Sequence, residues 1–280
     1  MIIVHLTLWC WFIALAVMTL WSYWLVPTSA MAEWWQAVVY ILAPATTVAS
    51  GLVMLKEYGL RSLPGKIFLT ITLGIAGWWV GEILWTYYEL IAKTDPFPSL
   101  ADLFYLVGYI PLCGGLLWEL QFLRHKTRKP LPYTTRLLLV LLGILFSGVA
   151  LYFGVVQAIK PDYSVLENVV AMIYGVADIA LVIMGLVVII VTIEMRGGKF
   201  VWPWWWFLFG LLCTFVADIG FAMFTKQYET KYAFYKPTLD TLWIVAYLGM
   251  AYGLARFGWL IQSARASIVT SSKRTTLEGR

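Results

Sequence analysis

Long apolar runs separated by short polar stretches make up nearly the whole chain. About 20 helical residues cross the roughly 30 Å hydrocarbon layer of a membrane, so an apolar run of 18 or more residues predicts a transmembrane helix. The runs show no period-2 alternation of the kind seen in membrane β-barrels. The sequence therefore predicts an all-α, polytopic membrane helix bundle of about eight transmembrane helices. The predicted spans are 3–26, 34–55, 67–91, 101–123, 137–159, 167–193, 202–224 and 239–262.

The composition supports a single membrane domain. Of the 280 residues, 61% are hydrophobic and only 12% are charged, whereas a soluble domain carries roughly 25% charged residues. The eight runs leave no room for a soluble domain. We therefore expect residues 1–262 to form one transmembrane domain, with membrane lipids as its surroundings, and residues 263–280 to form a disordered cytoplasmic tail.

Lysine and arginine residues predict the orientation, because they concentrate on the cytoplasmic side of a membrane. The loops after spans two, four and six, together with the last span and the tail, hold 15 of the 20. This predicts that both termini are cytoplasmic. We separately expect the membrane to be a prokaryotic plasma membrane. The same asymmetry accounts for the basic balance of the chain, so we expect no nucleic-acid partner.

The first span has a second interpretation. Ala30-Met31-Ala32 resembles a signal-peptide cleavage site, and cleavage there leaves seven helices with the amino terminus outside. No basic segment precedes the span, however, and its apolar stretch is longer than that of a normal signal peptide. We therefore expect an uncleaved anchor.

Spans four and eight repeat one pattern, and spans three and seven precede them in the same way. Setting Asp102 on Asp240 aligns further polar, aromatic and glycine positions, and the acids of the preceding spans fall at similar places. We interpret this as tandem duplication of a helix hairpin. The aligned pairs are Tyr105 with Trp243, Tyr109 with Tyr247, Gly115-Leu116 with Gly253-Leu254, and Glu82 with Asp218.

Three acids lie inside predicted spans: Glu82, Asp178 and Asp218. An aspartate near the bilayer centre costs at least about 2.5 kcal/mol, so such residues are functional candidates. We predict that they face the bundle interior, in its outer half. The structural alternative is a protonated acid that forms a hydrogen bond with a neighbouring Tyr or Trp and so holds helices together. The functional alternative is a ligand pocket that also includes Tyr105, Tyr109, Trp243 and Tyr247.

Two further acids begin predicted spans, which suggests helix capping. Ser99 with Asp102 matches a capping arrangement at the start of span four, and Thr238 with Asp240 holds the corresponding place in span eight. An acid in the first turn accepts hydrogen bonds from amides that lack partners and suits the helix dipole. We expect these four residues to be structural caps.

Catalytic signatures are missing from the sequence. The only histidines are His5, at the amino terminus, and His125, in a predicted cytoplasmic loop, so paired histidine ligands to a haem are excluded and a histidine-built metal site is disfavoured. No phosphate-binding loop or nucleophile elbow is present. We expect no enzyme activity, no metal and no cofactor.

Four segments of the chain resemble a known family of membrane regions. They are Pro98 to Leu116, the Tyr174-Gly175-x-x-Asp178 element, Ala217-Asp218, and Leu239 to Trp243. The resemblance covers roughly residues 66–256. The chain resembles the multi-helix membrane sensor regions found ahead of cyclic-di-GMP synthase domains in various bacteria, which implies a membrane-embedded input module of unknown ligand. No output domain follows span eight, which departs from that family.

Three functions remain open at this point. The first is a binding or sensory membrane module, acting through a cytoplasmic signalling partner. The second is an accessory or structural subunit that packs against other membrane subunits. The third is a transporter that uses the buried acids as proton or cation sites.

Overall fold

The structure is a computed structural model and describes residues 2–26, 29–126, 132–157, 159–161, 163–194, 198–229 and 234–278. Eight α-helices make up almost all of this part of the chain. The first, third and fifth continue directly into π-helical segments, Trp21–Leu25, Tyr87–Ala92 and Leu151–Val156. The helices are α1 (Ile2–Leu20), α2 (Ala30–Tyr58), α3 (Leu63–Thr86), α4 (Leu100–Lys126), α5 (Tyr133–Ala150), α6 (Val165–Glu194), α7 (Val201–Glu229) and α8 (Tyr235–Glu278).

Seven helices, α2 to α8, are long and apolar enough to cross a membrane. The predicted all-α membrane helix bundle is therefore confirmed. The first predicted span is also helical, but within the described residues it counts only as a shorter apolar helix, Trp9–Leu25. The number of spans that meet the length requirement is thus seven, against about eight predicted.

Local sequence signals set the turn between α2 and α3. Gly59 ends α2 with a φ of 75°, a left-handed value that favours glycine. Ser62 then caps α3, because its side chain accepts a hydrogen bond from the amide of Gly65 at 3.0 Å. Pro64 follows in the first turn, where a missing amide hydrogen costs nothing. The turn is short, so α2 and α3 pack as antiparallel neighbours.

The helix pairs α3–α4 and α7–α8 form the two most extensive packing interfaces of the bundle. Glycines allow the close approach. A Cβ atom added to Gly74 would lie 2.5 Å from Leu112 Cγ, and one added to Gly210 would lie 2.5 Å from Met250 Cγ. Leu112 and Met250 are equivalent positions when the aspartates that begin the repeat are aligned. Corresponding glycines of the two hairpins therefore pack on corresponding neighbours.

A second pair of glycines makes the same comparison. A Cβ atom on Gly115 would lie 3.2 Å from the amide nitrogen of Ile71, and one on Gly253 would lie 3.1 Å from that of Phe207. These contacts support the predicted hairpin duplication, which itself stays a prediction.

The helix α5 lies at the edge of the bundle. None of its described side chains is buried, and it packs mainly against α6 and the π-helical segment Leu151–Val156. The largest fully buried side chains come instead from other helices, among them Ile71, Leu112, Leu181 and Phe207. The core therefore sits among α2, α3, α4, α6, α7 and α8.

The carboxyl-terminal stretch differs from its prediction. Residues after 262 were expected to be disordered, but α8 continues as helix to Glu278. At 1.5 Å per residue its 44 residues extend roughly 66 Å, which is longer than a membrane is thick. Arg265 pairs with Glu57 of α2 at 3.3 Å, and Gln262 also donates to Glu57 at 3.0 Å. These bonds hold the beginning of the extension against the bundle.

Candidate ligand-binding site

One cavity of about 100 Å³ brings together all the residues that the sequence predicted for a ligand pocket. It lies among α2, α3, α4, α6, α7 and α8, and we call it the acid–aromatic cavity. The predicted residues that line it are Glu82, Tyr105, Tyr109, Asp178, Asp218, Trp243 and Tyr247, and Asp102 lines it as well. The three acids predicted to face inward thus do so, although ligand binding itself stays a prediction.

Glu82 is fully engaged by two tyrosines. Its Oε2 accepts a hydrogen bond from the hydroxyl of Tyr105 on α4, and its Oε1 accepts one from Tyr247 on α8, both at 2.7 Å. Hydrogen bonds to a buried carboxylate are stronger than those between neutral groups. Glu82 therefore joins three helices, as expected for the structural role of such an acid.

Asp218 on α7 occupies the equivalent place in the second hairpin. Its Oδ1 accepts a hydrogen bond from Trp243 Nε1 at 2.6 Å, and its Oδ2 lies 3.3 Å from the hydroxyl of Tyr109. Each acid therefore meets one aromatic donor from its own hairpin and one from the other hairpin. The donors to the two acids are residues that the repeat aligns, Tyr105 with Trp243 and Tyr109 with Tyr247.

Asp178 on α6 lies outside the reciprocal pattern of hydrogen bonds that Glu82 and Asp218 follow. The hydroxyl of Tyr109 donates to Asp178 Oδ1 at 2.6 Å. That hydroxyl has a single proton, so it cannot donate to Asp218 at the same time. The other oxygen, Asp178 Oδ2, is buried and finds no hydrogen-bond donor among the residues that the structure describes. The carboxyl groups of Asp178 and Asp218 also lie against each other. With both carboxyls ionised, the cluster of Asp178, Asp218 and Tyr109 has more acceptors than donors.

The charged side chains that line the cavity are all acidic among the described residues. Four carboxyl side chains line it, and no Lys or Arg is among the described residues of its wall. Burying a carboxylate charge without a partner is costly, because the interior of the bundle solvates it poorly. Aromatic rings form much of the remaining wall, and Trp78 contacts both Tyr109 and Tyr247 edge to face. Such a wall favours a positively charged, donor-rich occupant.

Of the two predicted helix caps, the structure shows the one at the start of α4 but not the one at the start of α8. Ser99 and Asp102 form the capping bonds: the amide of Ser99 donates to Asp102 Oδ2 at 2.7 Å, and that of Ala101 donates to Ser99 Oγ at 3.1 Å. Asp102 also accepts a hydrogen bond from Tyr174 at 2.9 Å.

Thr238 and Asp240 do not cap α8. The helix begins at Tyr235, earlier than predicted, so the amides near these two residues already lie within it. Thr238 Oγ1 donates instead to the carbonyl of Phe234 at 2.5 Å, and Asp240 accepts from Tyr228 at 2.7 Å.

Two functional candidates were missed by sequence reasoning, namely Lys236 and Glu89. Lys236 Nζ lies 2.8 Å from Glu89 Oε1 and 3.6 Å from Asp240 Oδ2. The charge pattern along the chain identified Lys236 only as a loop cation. Its spacing of four from Asp240 on one helix was the signal that could have revealed this ion pair.

No arrangement for metal chemistry appears among the described residues: no group of three or more His, Cys, Asp or Glu is placed to hold a metal ion. Comparison with known proteins also identifies no family. No family model, no curated protein and no solved structure matches the chain. The resemblance to sensor regions ahead of cyclic-di-GMP synthase domains therefore stays a prediction.

Proposed function

We propose that this integral membrane protein is a non-enzymatic binding module that takes a small organic ammonium ion in the acid–aromatic cavity. The observation that carries the proposal is the acceptor excess around Asp178. Its Oδ2 lies buried without a donor among the described residues, beside a tyrosine hydroxyl whose one proton can serve only one of two nearby carboxyl groups. A primary ammonium supplies three N–H donors and a positive charge, which are what this cluster needs.

The size of the cavity limits the occupant. An apolar cavity of about 150 Å³ is large enough for benzene, whereas this one measures about 100 Å³. Methylammonium and ethylammonium fit this limit. The cavity wall includes the aromatic side chains of Tyr109 and Trp243, the type of group that makes cation–π contacts with an alkylammonium.

A sensory role follows from the course of α8. This helix carries Trp243 and Tyr247 in the cavity wall and continues without interruption to Glu278. The excess of Lys and Arg predicts that its far end lies in the cytoplasm and that the cavity lies nearer the outside. Binding can thus be transmitted along one helix to a cytoplasmic signalling partner. The resemblance to bacterial sensor regions supports the same role.

Asp178→Asn tests the binding proposal. Asparagine keeps the volume and still accepts from Tyr109, but it removes the charge and places N–H groups where an acceptor stood. A lost charged hydrogen bond of about 2 kcal/mol corresponds to a roughly 30-fold weaker affinity. The matched control is Glu167→Gln, which lies in the first turn of the same helix and outside the cavity wall.

The measurement is thermal unfolding of the purified protein with increasing ethylammonium, with ethanol as the uncharged comparison. We expect ethylammonium to stabilise the original protein and the Glu167→Gln variant but not Asp178→Asn. Equal stabilisation of all three, or none of the original protein, contradicts the proposal. The second result favours the accessory-subunit hypothesis, in which these acids only lock helices, as the fully bonded Glu82 does.

A further inference from the structure

A second cavity lies at the end of the bundle where α3 turns into α4 and α7 turns into α8. It measures about 350 Å³, and we call it the hairpin-end cavity. Its wall carries both acids and lysines, including Glu33, Glu89, Lys93, Lys236 and Asp240. Three aromatic residues, Tyr40, Trp85 and Tyr228, line this cavity and the acid–aromatic cavity alike. These three side chains therefore form the partition between the two spaces.

The ammonium of Lys236 is seated at this partition. It lies 2.8 Å from Glu89 Oε1, 3.6 Å from Asp240 Oδ2 and 4.6 Å from the ring centre of Tyr228. Two carboxylates and an aromatic face are the groups that bind an alkylammonium ion. The lysine side chain is itself an alkylammonium, so its contacts indicate how a free alkylammonium ion could be bound at this position.

The ion pair also holds the partition in place. The hydroxyl of Tyr228 donates to Asp240 Oδ1 at 2.7 Å and accepts from Lys236 Nζ at 3.2 Å. Its ring packs edge to face on Phe221 and Trp243, which both line the acid–aromatic cavity. Movement of Lys236 therefore removes one of the two hydrogen bonds that hold the side chain between the two spaces.

Exposure falls steadily along this cluster. The exposed fraction of the side chain is 33% for Glu89, 13% for Lys236 and 2% for Asp240. A cation that arrives at the hairpin-end cavity thus meets Glu89 first and Asp240 last. The sequence of contacts leads from solvent towards the partition.

We propose that Glu89, Asp240 and Tyr228 form an entrance site for alkylammonium ions, and that Lys236 is a tethered competitor that keeps it closed. An incoming ammonium replaces Lys236 between the two carboxylates, and Tyr228 then gives way to the acid–aromatic cavity. This inference rests on the proposed function, because it takes the acid–aromatic cavity as the destination of the ion.

Chemical labelling tests the entrance without any bound ligand. Ala222 lines the acid–aromatic cavity, and Ala222→Cys in a chain freed of its three native cysteines provides one target thiol. The labelling rate is measured with 2-aminoethyl methanethiosulfonate, which carries an ammonium group, and with uncharged methyl methanethiosulfonate. Lys236→Gln is compared with Lys93→Gln, a neutralised lysine of the same cavity wall that is exposed.

Charged clefts raise the local concentration and arrival rate of opposite charges by about tenfold or more. Lys236→Gln should therefore raise the labelling rate of the cationic reagent about tenfold, and that of the uncharged reagent less than about threefold. Lys93→Gln should leave both rates nearly unchanged. Equal acceleration of the two reagents, or none, overturns the proposal. If Lys236→Gln does not fold, Lys236→Met replaces it, since methionine also removes the positive charge, keeps an unbranched side chain, and should give the same selective acceleration. The two proposals can fail separately. If the labelling rates contradict the entrance site, ethylammonium stabilisation still tests binding in the acid–aromatic cavity. If ethylammonium does not stabilise the protein, the labelling rates still report whether Lys236 controls access.

Discussion

Replacing Tyr247 by phenylalanine removes one hydroxyl that links α8 to Glu82 on α3. Both side chains are buried, and the hydroxyl donates to Glu82 Oε1 at 2.7 Å. The aromatic ring and its packing on Trp78 remain. The change therefore isolates a single hydrogen bond, while Tyr105 continues to donate to the other carboxylate oxygen.

The expected magnitude follows from the charge of the acceptor. A hydrogen bond to a charged group contributes about 1.5–3 kcal/mol, whereas one between neutral groups contributes about 0.5–1.5 kcal/mol. Hydrogen bonds between membrane helices average only about 0.6 kcal/mol, because partners are also found in the unfolded state. If Glu82 is ionised, Tyr247→Phe should lower the free energy of unfolding by about 1.5–3 kcal/mol. In a Glu82→Gln background the same change should cost about 0.5–1.5 kcal/mol.

The assay is equilibrium unfolding in mixed micelles, with the four members of the mutant cycle measured side by side. Tyr87→Phe is the control, because Tyr87 is 48% exposed, and surface changes of this kind stay within about 0.5 kcal/mol. The reasoning is refuted if Tyr247→Phe costs no more than Tyr87→Phe. Equal costs in the Glu82 and Gln backgrounds would show that the hydroxyl acts through another group.

Three shorter predictions concern topology and packing. In a cysteine-free chain, a cysteine at Thr94 should react with an impermeant reagent from outside, and one at Thr127 only after permeabilisation; the reverse pattern contradicts cytoplasmic termini. Gly210→Ala should destabilise the bundle by about 1–3 kcal/mol through overpacking, while Gly143→Ala, with open space around it, should be neutral or stabilising, as unfolding midpoints will show. Arg265→Ala should change stability by no more than about 1 kcal/mol, because the Arg265 side chain is 59% exposed, and a larger loss would indicate a structural role for the extension of α8.

The sequence by itself determined that the chain lies in a membrane and that its segments are helical. Long apolar runs can satisfy their backbone groups in lipid only as helices, and the predicted spans coincide with observed helices to within a few residues at most ends. The cost of burying acids in a membrane also predicted that Glu82, Asp178 and Asp218 face inward. All three line one cavity.

Only the tertiary structure decided which donor serves which acid. Helix periodicity places Asp178 and Tyr109 on their own helices, but their meeting at 2.6 Å depends on how α4 and α6 rotate and cross. The acceptor excess around Asp178 and the seat of Lys236 between Glu89 and Asp240 depend on the same geometry. Pairing across helices is set by side-chain packing over the whole bundle, which local sequence patterns do not encode.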